Sequence, residues 1–330
     1  MQQQSNISVT DNDGPHPRVS VVIAAYNYGH YIAQAIQSVV DQTFTDWELI
    51  IVDDESTDNT TQIVSPFLAD PRIRYYRQSN QGQPLTENRG IELSRGELIA
   101  FLDADDAWLP GKLEKQVPLF DNNSRVGVTY TGVRIMDEFG RVSSTSSCKK
   151  LRGDVFKASF HQTIPSFSSS IVRKTVFDDV GRFDKLVPFN SDYEMWLRAA
   201  MKYHFDYVDE PLLLYRTGHA NMSKQRYQVR RLNIVNYVIP HILNDCGGRA
   251  RLTRKEIAEG YAVLFIGMGE CDMEHSQWSS LRWYVRAVFS APWMWPCWRG
   301  VIRSIIPKPI VSTAKRLIGT RVHDANVLST

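Results

Sequence analysis

Leu98-Ile99-Ala100-Phe101-Leu102-Asp103-Ala104-Asp105-Asp106 is the stretch from which the fold can be read. Its apolar first half predicts a buried strand, and Trp108-Leu109-Pro110-Gly111 breaks the chain soon after it. Three carboxylates therefore crowd the carboxyl end of one strand. Mutual repulsion and partial desolvation make that costly unless a cation offsets it, and an all-oxygen set suits a hard divalent ion such as Mg²⁺ or Mn²⁺. An ion of that kind accompanies a phosphate. A turn whose carboxylates only face water is the plainer alternative, since short Asp-rich turns are common.

Working back from that strand, Val19-Ser20-Val21-Val22-Ile23-Ala24-Ala25-Tyr26 is apolar and β-branched, as a parallel strand buried on both faces requires. Asn27-Tyr28-Gly29 turns the chain, and Ile32, Ala35, Ile36 and Val39 follow at helical spacing within Tyr31 to Gln42. Trp47 to Val52 predicts the next buried strand, which the polar cluster Asp53 to Asp58 closes. Thr60 to Leu68 then predicts a helix, Ile73 to Tyr76 a short strand and Gln83 to Ser94 a further helix. Such alternation specifies a parallel, doubly wound α/β sheet whose ligands bind beyond the carboxyl ends of the strands. One cleft can then gather Tyr26, Asn27, Asp53, Asp54, Asp103, Asp105 and Asp106. No Gly-x-Gly-x-x-Gly follows the first strand and no Gly-Lys-Ser/Thr loop exists, which argues against dinucleotide and P-loop enzymes. Asp53 and Asp54 have a plainer use as helix-capping carboxylates.

Downstream, Val126 to Met136 predicts a strand, and the Ser-rich stretch Ser143 to Lys150 a mobile loop by the cleft. Ser166 to Ser170 leads into Ile171-Val172, with a short helix around Thr175 to Val180. Trp196, Leu197 and Ala200 mark one face of a helix that begins near Asp192, where the helix dipole favours an ionised carboxylate. Taken alone, Asp192 is equally an N-terminal cap. Phe205 to Val208 and Leu212 to Tyr215 predict two closing strands around Asp209-Glu210-Pro211.

The chain has 330 residues, 43% of them hydrophobic and 22% charged, enough for one large domain and an appendage. A net charge of +2 is too small to make nucleic acid the main partner. Cys148, Cys246, Cys271 and Cys297 lack any paired spacing and read as free thiols of a reducing compartment. Met1 to Pro17 is polar and unlike a secretory signal, so a cytoplasmic location is expected, and no apolar run approaches the roughly 18 to 20 residues that span a bilayer. Beyond Lys224 the pattern becomes helical, with Arg230, Arg231, Arg249, Arg251, Arg254 and Lys255 among apolar residues. From His275 to His323 there is no Asp or Glu, while five of the eight Trp alternate with Arg282, Arg286, Arg299 and Arg303. That composition suits peripheral contact of residues 278–316 with anionic lipid on the inner face of the plasma membrane, or else a Trp-rich patch packed on the rest of the chain.

These stretches together resemble the family 2 glycosyltransferases, inverting enzymes of the glycosyltransferase-A fold that use nucleotide-sugar donors. The resemblance runs from Val19 to Ser223 and is carried by Val21 to Asn27, Gln42-Thr43-Phe44, Glu48 to Asp58, Asn88-Arg89-Gly90, Phe101 to Asp106, Gly181-Arg182-Phe183-Asp184 and Ser191 to Arg198. It implies a Rossmann-like, mostly parallel sheet flanked by helices as the catalytic domain over 18–223, to which composition and pattern add a disordered N-terminal tail over 1–17 and a helical, basic and Trp-rich C-terminal appendage over 224–330. It also implies that Ala24, Tyr26, Asp54, Arg89, Asp103 and Asp105 contact the nucleotide-sugar. Asp105, Asp106 and His219 are implied to hold Mg²⁺ or Mn²⁺, and Asp192 to be the catalytic base. Ser191 stands where many relatives carry a second carboxylate. The expected acceptor is a glycan or lipid-linked hydroxyl in cell-surface polysaccharide or lipid-linked glycan synthesis. Two other readings compete: a donor-binding relative that has lost transfer and assists assembly, and an Asp-x-Asp phosphotransferase, which would want its motif on the first strand.

Overall fold

The computed structural model describes residues 16–161, 165–187, 190–218 and 227–305. β1 (Val19–Ala25), α1 (Ile32–Val40), β2 (Trp47–Asp53), α2 (Thr60–Val64), β3 (Ile73–Arg77), α3 (Gln83–Leu93) and β4 (Leu98–Phe101) alternate as the sequence predicts. β1 lies between β2 and β4 and is parallel to both, with Val22 opposite Ile50 on one side and Phe101 on the other. Because Ala25 is in register with Asp53, the carboxyl ends of these strands form one rim. Every residue of β2 and β4 is buried, which the β-branched and apolar runs allow on both faces.

The remaining elements are β5 (Ala107–Trp108), α4 (Lys112–Asp121), β6 (Val126–Met136), β7 (Val142–Ser147), α5 (Phe156–His161), β8 (Ile171–Arg173), α6 (Lys174–Val180), α7 (Ser191–Lys202) and β9 (His204–Arg216). The strand order is β3-β2-β1-β4-β8-β6-β9-β5, with β7 on β6. β8 is antiparallel to both β4 and β6, so the parallel half gives way to a mixed one. This is the α/β architecture expected, with two local corrections. Val142–Ser147 is an edge strand rather than a loop, because backbone groups make the ladder and a Ser-rich composition does not prevent it. His204–Arg216 is one strand rather than two: its register against β6 jumps from Val208 opposite Thr131 to Pro211 opposite Gly132, so Asp209 and Glu210 bulge out and Pro211 falls where a ladder N–H is not needed.

α8 (Tyr227–Asn233), α9 (Ile239–Asn244), α10 (Arg254–His275), α11 (Gln277–Ser290) and α12 (Trp295–Ile305) complete the described chain. Alternate residues of β1 and β4 feed two cores, one on each face of the sheet. The core that starts from Val22, Ile99 and Phe101 continues through Met195, Trp196 and Leu197 to Ile234, Val238, Ile242, Leu252 and Leu264. The chain from Ile234 through α9 and α10 is therefore packed into the same core as the sheet. α10 to α12 add a smaller one around Ala262, Ala287, Ala291 and Cys297. None of Cys148, Cys246, Cys271 and Cys297 forms a disulfide among the described residues.

Behind the rim, Glu48 ties the sheet together. It is 1% exposed and accepts from the Ser20 hydroxyl at 2.7 Å, the Arg95 N–H at 2.8 Å and Nε at 3.0 Å, and Arg74 Nη2 at 2.7 Å. Burial raises its carboxyl, but the Ser20 and Arg95 hydrogen bonds and the Arg74 and Arg95 charges outweigh it and hold the group below the usual carboxylate range. A depressed native value stabilises the fold above the unfolded value of about 4.3 and loses that contribution as pH falls through the native one. Glu48→Gln, which strands two guanidinium groups, is expected to cost about 3 kcal/mol in urea unfolding at neutral pH and progressively less below about pH 4. A loss under about 1 kcal/mol, the range of a surface pair, would show the network to be idle.

Candidate active site

The rim carries the acidic cluster. Asp103, Asp105 and Asp106 each present a carboxylate oxygen, and these atoms lie within 4.8 Å of one another. Ser168, in the turn before β8, receives the Asp103 N–H at 3.1 Å and donates to Asp103 Oδ2 at 3.0 Å. Trp108 Nε1 holds that turn through the Ser168 carbonyl at 2.7 Å. Arg216, at the end of β9, gives its backbone N–H to Asp106 Oδ1 at 2.9 Å and its Nε to the Asp105 carbonyl at 2.7 Å. The same guanidinium reaches the carbonyls of Asp137 and Glu138 and lies 4.6 Å over the Tyr31 ring. It braces the loop by binding carbonyl oxygens.

The result is a concentration of negative charge. Asp106 is 1% exposed, and among the described residues its Oδ2 has no hydrogen-bond partner. Burial, then Asp105 and Asp103, pushes its carboxyl well above the ordinary range. Burial, Asp105 and Asp192 push Asp103 up to about 7. Tyr28 is raised as well, by burial and then by all three acids. A hard divalent cation fits this donor set: it would be met by carboxylate oxygens, take up the orphaned Asp106 Oδ2 and cancel the repulsion.

The nucleotide-side residues fall on the neighbouring tips. Tyr26 is exposed just past β1, and Ala24 is partly exposed near the end of that strand. Asn27 has φ 60°, and its side-chain oxygen accepts from the backbones of Thr57 and Asp58 at 2.7 and 3.3 Å, binding the first tip to the second. Asp53 accepts from the Ser56 N–H at 2.7 Å and from the Tyr75 hydroxyl. Asp54 is buried, and its carboxylate accepts from Gln78 Nε2 at 2.8 Å and the N–H groups of Gln81 and Gly82 at 2.9 and 2.8 Å. It thus shapes the loop that enters α3. Arg89 lies along the outer side of α3, where it pairs with Glu92 at 3.2 Å beside Arg182. The residue of α3 that faces the acids is Glu87: burial, Asp103 and Asp192 raise its carboxyl well above the ordinary range.

Asp192 stands partly buried in the first turn of α7. Burial raises its carboxyl, against the charge of Arg230 and the backbone N–H groups of Tyr193 and Asp192 itself. Arg230 comes from α8 and is fixed by Asn190, whose Nδ2 donates to its carbonyl at 3.0 Å and whose Oδ1 accepts from its Nε at 3.3 Å. His219 lies outside the described residues. Sequence reasoning missed Glu87, Ser168, Arg216 and Arg230 as members of this cleft. The Ser166 to Ser170 run was a signal for Ser168, and the segment that leads to His219 was one for Arg216; for Glu87 and Arg230 the linear chain offers none.

Residues 20–181 match the family model described as glycosyl transferase family 2. The chain is 31% identical over 222 residues, 66% of itself and 76% of the relative, to an uncharacterized glycosyltransferase of Methanocaldococcus jannaschii. The chain belongs to glycosyltransferase family 2. It is 30% identical over 67% of its length to an uncharacterized glycosyltransferase of Rickettsia felis, of which that match spans 37%. It is 40% identical over 126 residues, 38% of itself and 50% of the relative, to the putative teichuronic acid biosynthesis glycosyltransferase TuaG of Bacillus subtilis. The structure of a mannosyltransferase from Pyrobaculum calidifontis, in complex with GDP-Man and Mn²⁺, shares the fold with a TM-score of 0.58 at 16% identity, over 93% of this chain and 82% of that one. In this glycosyltransferase the family match covers β1 to α6, so Asp192, Arg216 and Arg230 lie beyond it and enter the cleft through the fold.

Proposed function

We propose that the protein is an inverting, metal-dependent glycosyltransferase that moves a sugar from a nucleoside diphosphate to a hydroxyl acceptor in polysaccharide or lipid-linked glycan synthesis. The observation that supports it best is the buried, unpartnered Asp106 Oδ2 inside a carboxylate cluster at the strand tips, with Asp192 close enough for its charge to raise Asp103. Asp105 and Asp106 would hold Mg²⁺ or Mn²⁺, which would supply Lewis acidity and orientation for the diphosphate. Asp103, fixed by Ser168, faces the same group, while Tyr26, Ala24 and the loop shaped by Asp54 border the nucleoside. Asp192, ionised at a helix N-terminus, takes the proton of the acceptor hydroxyl as that oxygen attacks the anomeric carbon opposite the departing diphosphate. One bond forms on the face away from the one that breaks, so the configuration inverts. Polysaccharide synthesis is supported by the likeness to TuaG.

The test is release of nucleoside diphosphate from a panel of UDP- and GDP-sugars with Mn²⁺ and cell-envelope glycan acceptors. Acceptor-dependent release from one donor is expected. Donor binding without release would make the chain a non-catalytic assembly partner.

We further propose that α11 and α12 rest on the inner face of the plasma membrane. Trp278 and Phe289 are 78% and 85% exposed, Trp293, Trp295, Trp298, Ile302 and Ile305 are also exposed, and residues 276–305 contain Arg but no Asp or Glu. Among the described residues no helix is long and apolar enough to cross a membrane. Since α9 and α10 share the sheet's core, the test keeps the full chain. It is expected to float with phosphatidylglycerol vesicles, and the triple variant Trp278→Ser, Phe289→Ser, Trp295→Ser to stay behind. Equal flotation of the two would refute the contact.

A further inference from the structure

α3 packs closely on β1 because residue 90 is glycine: a Cβ there would stand 2.2 Å from Cγ1 of Val22 in the middle of that strand. Its rotation is set by Asn88, which donates to the Phe183 carbonyl at 2.9 Å and accepts from the Phe183 N–H at 3.0 Å. Together these contacts aim Glu87 inward, where it is 1% exposed. Gln83, one turn earlier, donates to its Oε1 at 2.8 Å. Oε2 is buried, with no hydrogen-bond partner among the described residues. The charges it feels are those of Asp103 and Asp192. A buried carboxyl with one oxygen fixed and the other unmatched is costly to the fold, and a ligand that completes it recovers that cost.

What such a ligand must be follows from the neighbours. Asp103 belongs to the cluster facing the diphosphate and Asp192 faces the acceptor hydroxyl, so the group between them during transfer is the moving sugar. We propose that Glu87 is a donor-specificity residue whose Oε2 hydrogen-bonds a hydroxyl of the transferred sugar and whose carboxyl excludes sugars bearing a carboxylate. This inference rests on the glycosyl-transfer reading above. A hydroxyl matches the unpaired oxygen, whereas a hexuronate would bring a further carboxylate against Glu87, Asp103 and Asp192 in a poorly solvated place. Attraction for one class and repulsion of the other act together to select the donor.

The experiment is calorimetric titration of the full chain with Mn²⁺ and bare UDP, bare GDP, UDP-glucose, UDP-galactose, UDP-N-acetylglucosamine, GDP-mannose and UDP-glucuronate. Wild type, Glu87→Gln and Glu87→Leu are compared. For the neutral-sugar donor that wild type binds best, Glu87→Leu is expected to raise the ratio of donor Kd to bare-diphosphate Kd about 10-fold or more, the worth of a hydrogen bond to a buried acid. Glu87→Gln, the same shape without an acid, keeps that ratio within about 3-fold and narrows the gap between neutral donor and glucuronate. An unchanged ratio in Glu87→Leu, an equal weakening of the bare diphosphate, or a wild type that prefers glucuronate would overturn the proposal while leaving glycosyl transfer standing. A wild type that binds neither diphosphates nor donors overturns the glycosyl-transfer reading itself.

Discussion

Asp192→Asn is expected to lower kcat by about 10²- to 10⁴-fold, the usual worth of a general base, while donor Kd stays within about 3-fold. The asparagine keeps the volume in the first turn of α7 and leaves the Asn190–Arg230 contacts untouched, so packing should survive. What it loses is the ability to accept a proton. The pH profile supplies a second readout. Burial raises the Asp192 carboxyl, so the ionised, active form is lost as pH falls through a value above the ordinary carboxyl near 3.9. Wild-type kcat should therefore show an acid limb above that value, and the residual rate of the variant should lack it. Turnover equal to wild type would remove Asp192 from the role.

Asp106→Asn should separate metal binding from folding. The amide oxygen of the substituted side chain can still accept the Arg216 N–H, but the orphaned oxygen is replaced by an NH₂ group that no cation binds. Metal-dependent donor binding should fall by more than the roughly 10- to 100-fold that loss of an outer-shell partner costs. In EDTA the order of stability reverses. Because burial, Asp105 and Asp103 raise the native Asp106 carboxyl, the unfolded chain ionises more readily, and the group costs the native state stability at every pH above its unfolded value. The variant should thus melt above the metal-free wild type at neutral pH. Mn²⁺ should raise the melting temperature of wild type and leave the variant unmoved. A wild type indifferent to Mn²⁺ and EDTA would dispose of the cluster as a metal site.

Glu87 and Arg89 show where reading residues in order stops. The two positions are about 200° apart around a helix, so only one can face the cleft. The motif Asn88-Arg89-Gly90 drew attention to the arginine, yet Gly90 against Val22 and Asn88 against Phe183 turn the glutamate inward. Arg216 and Ser168 are alike in this respect: the acidic loop needs both, and they come from 110 and 65 positions away along the chain. The tail teaches the same. Its helical pattern beyond Lys224 predicted an appendage and the helices are there, while only the fold shows that Ile234, Val238, Leu252 and Leu264 complete the core that begins with Val22.

Alternating apolar runs and helical spacing determined by themselves that β1, β2 and β4 would lie parallel and bring Asn27, Asp53, Asp54 and the Asp103 to Asp106 loop to one rim. Those are local properties: a β-branched run buries on both faces wherever it is placed, and polar residues that end such runs must lie at strand tips. Only the tertiary structure decided which oxygens are left unpaired, which face of α3 looks inward, and that α8 sets Arg230 beside Asp192. The reason is that hydrogen-bond satisfaction and burial depend on groups brought from distant parts of the chain, and periodicity within a segment holds no information about them.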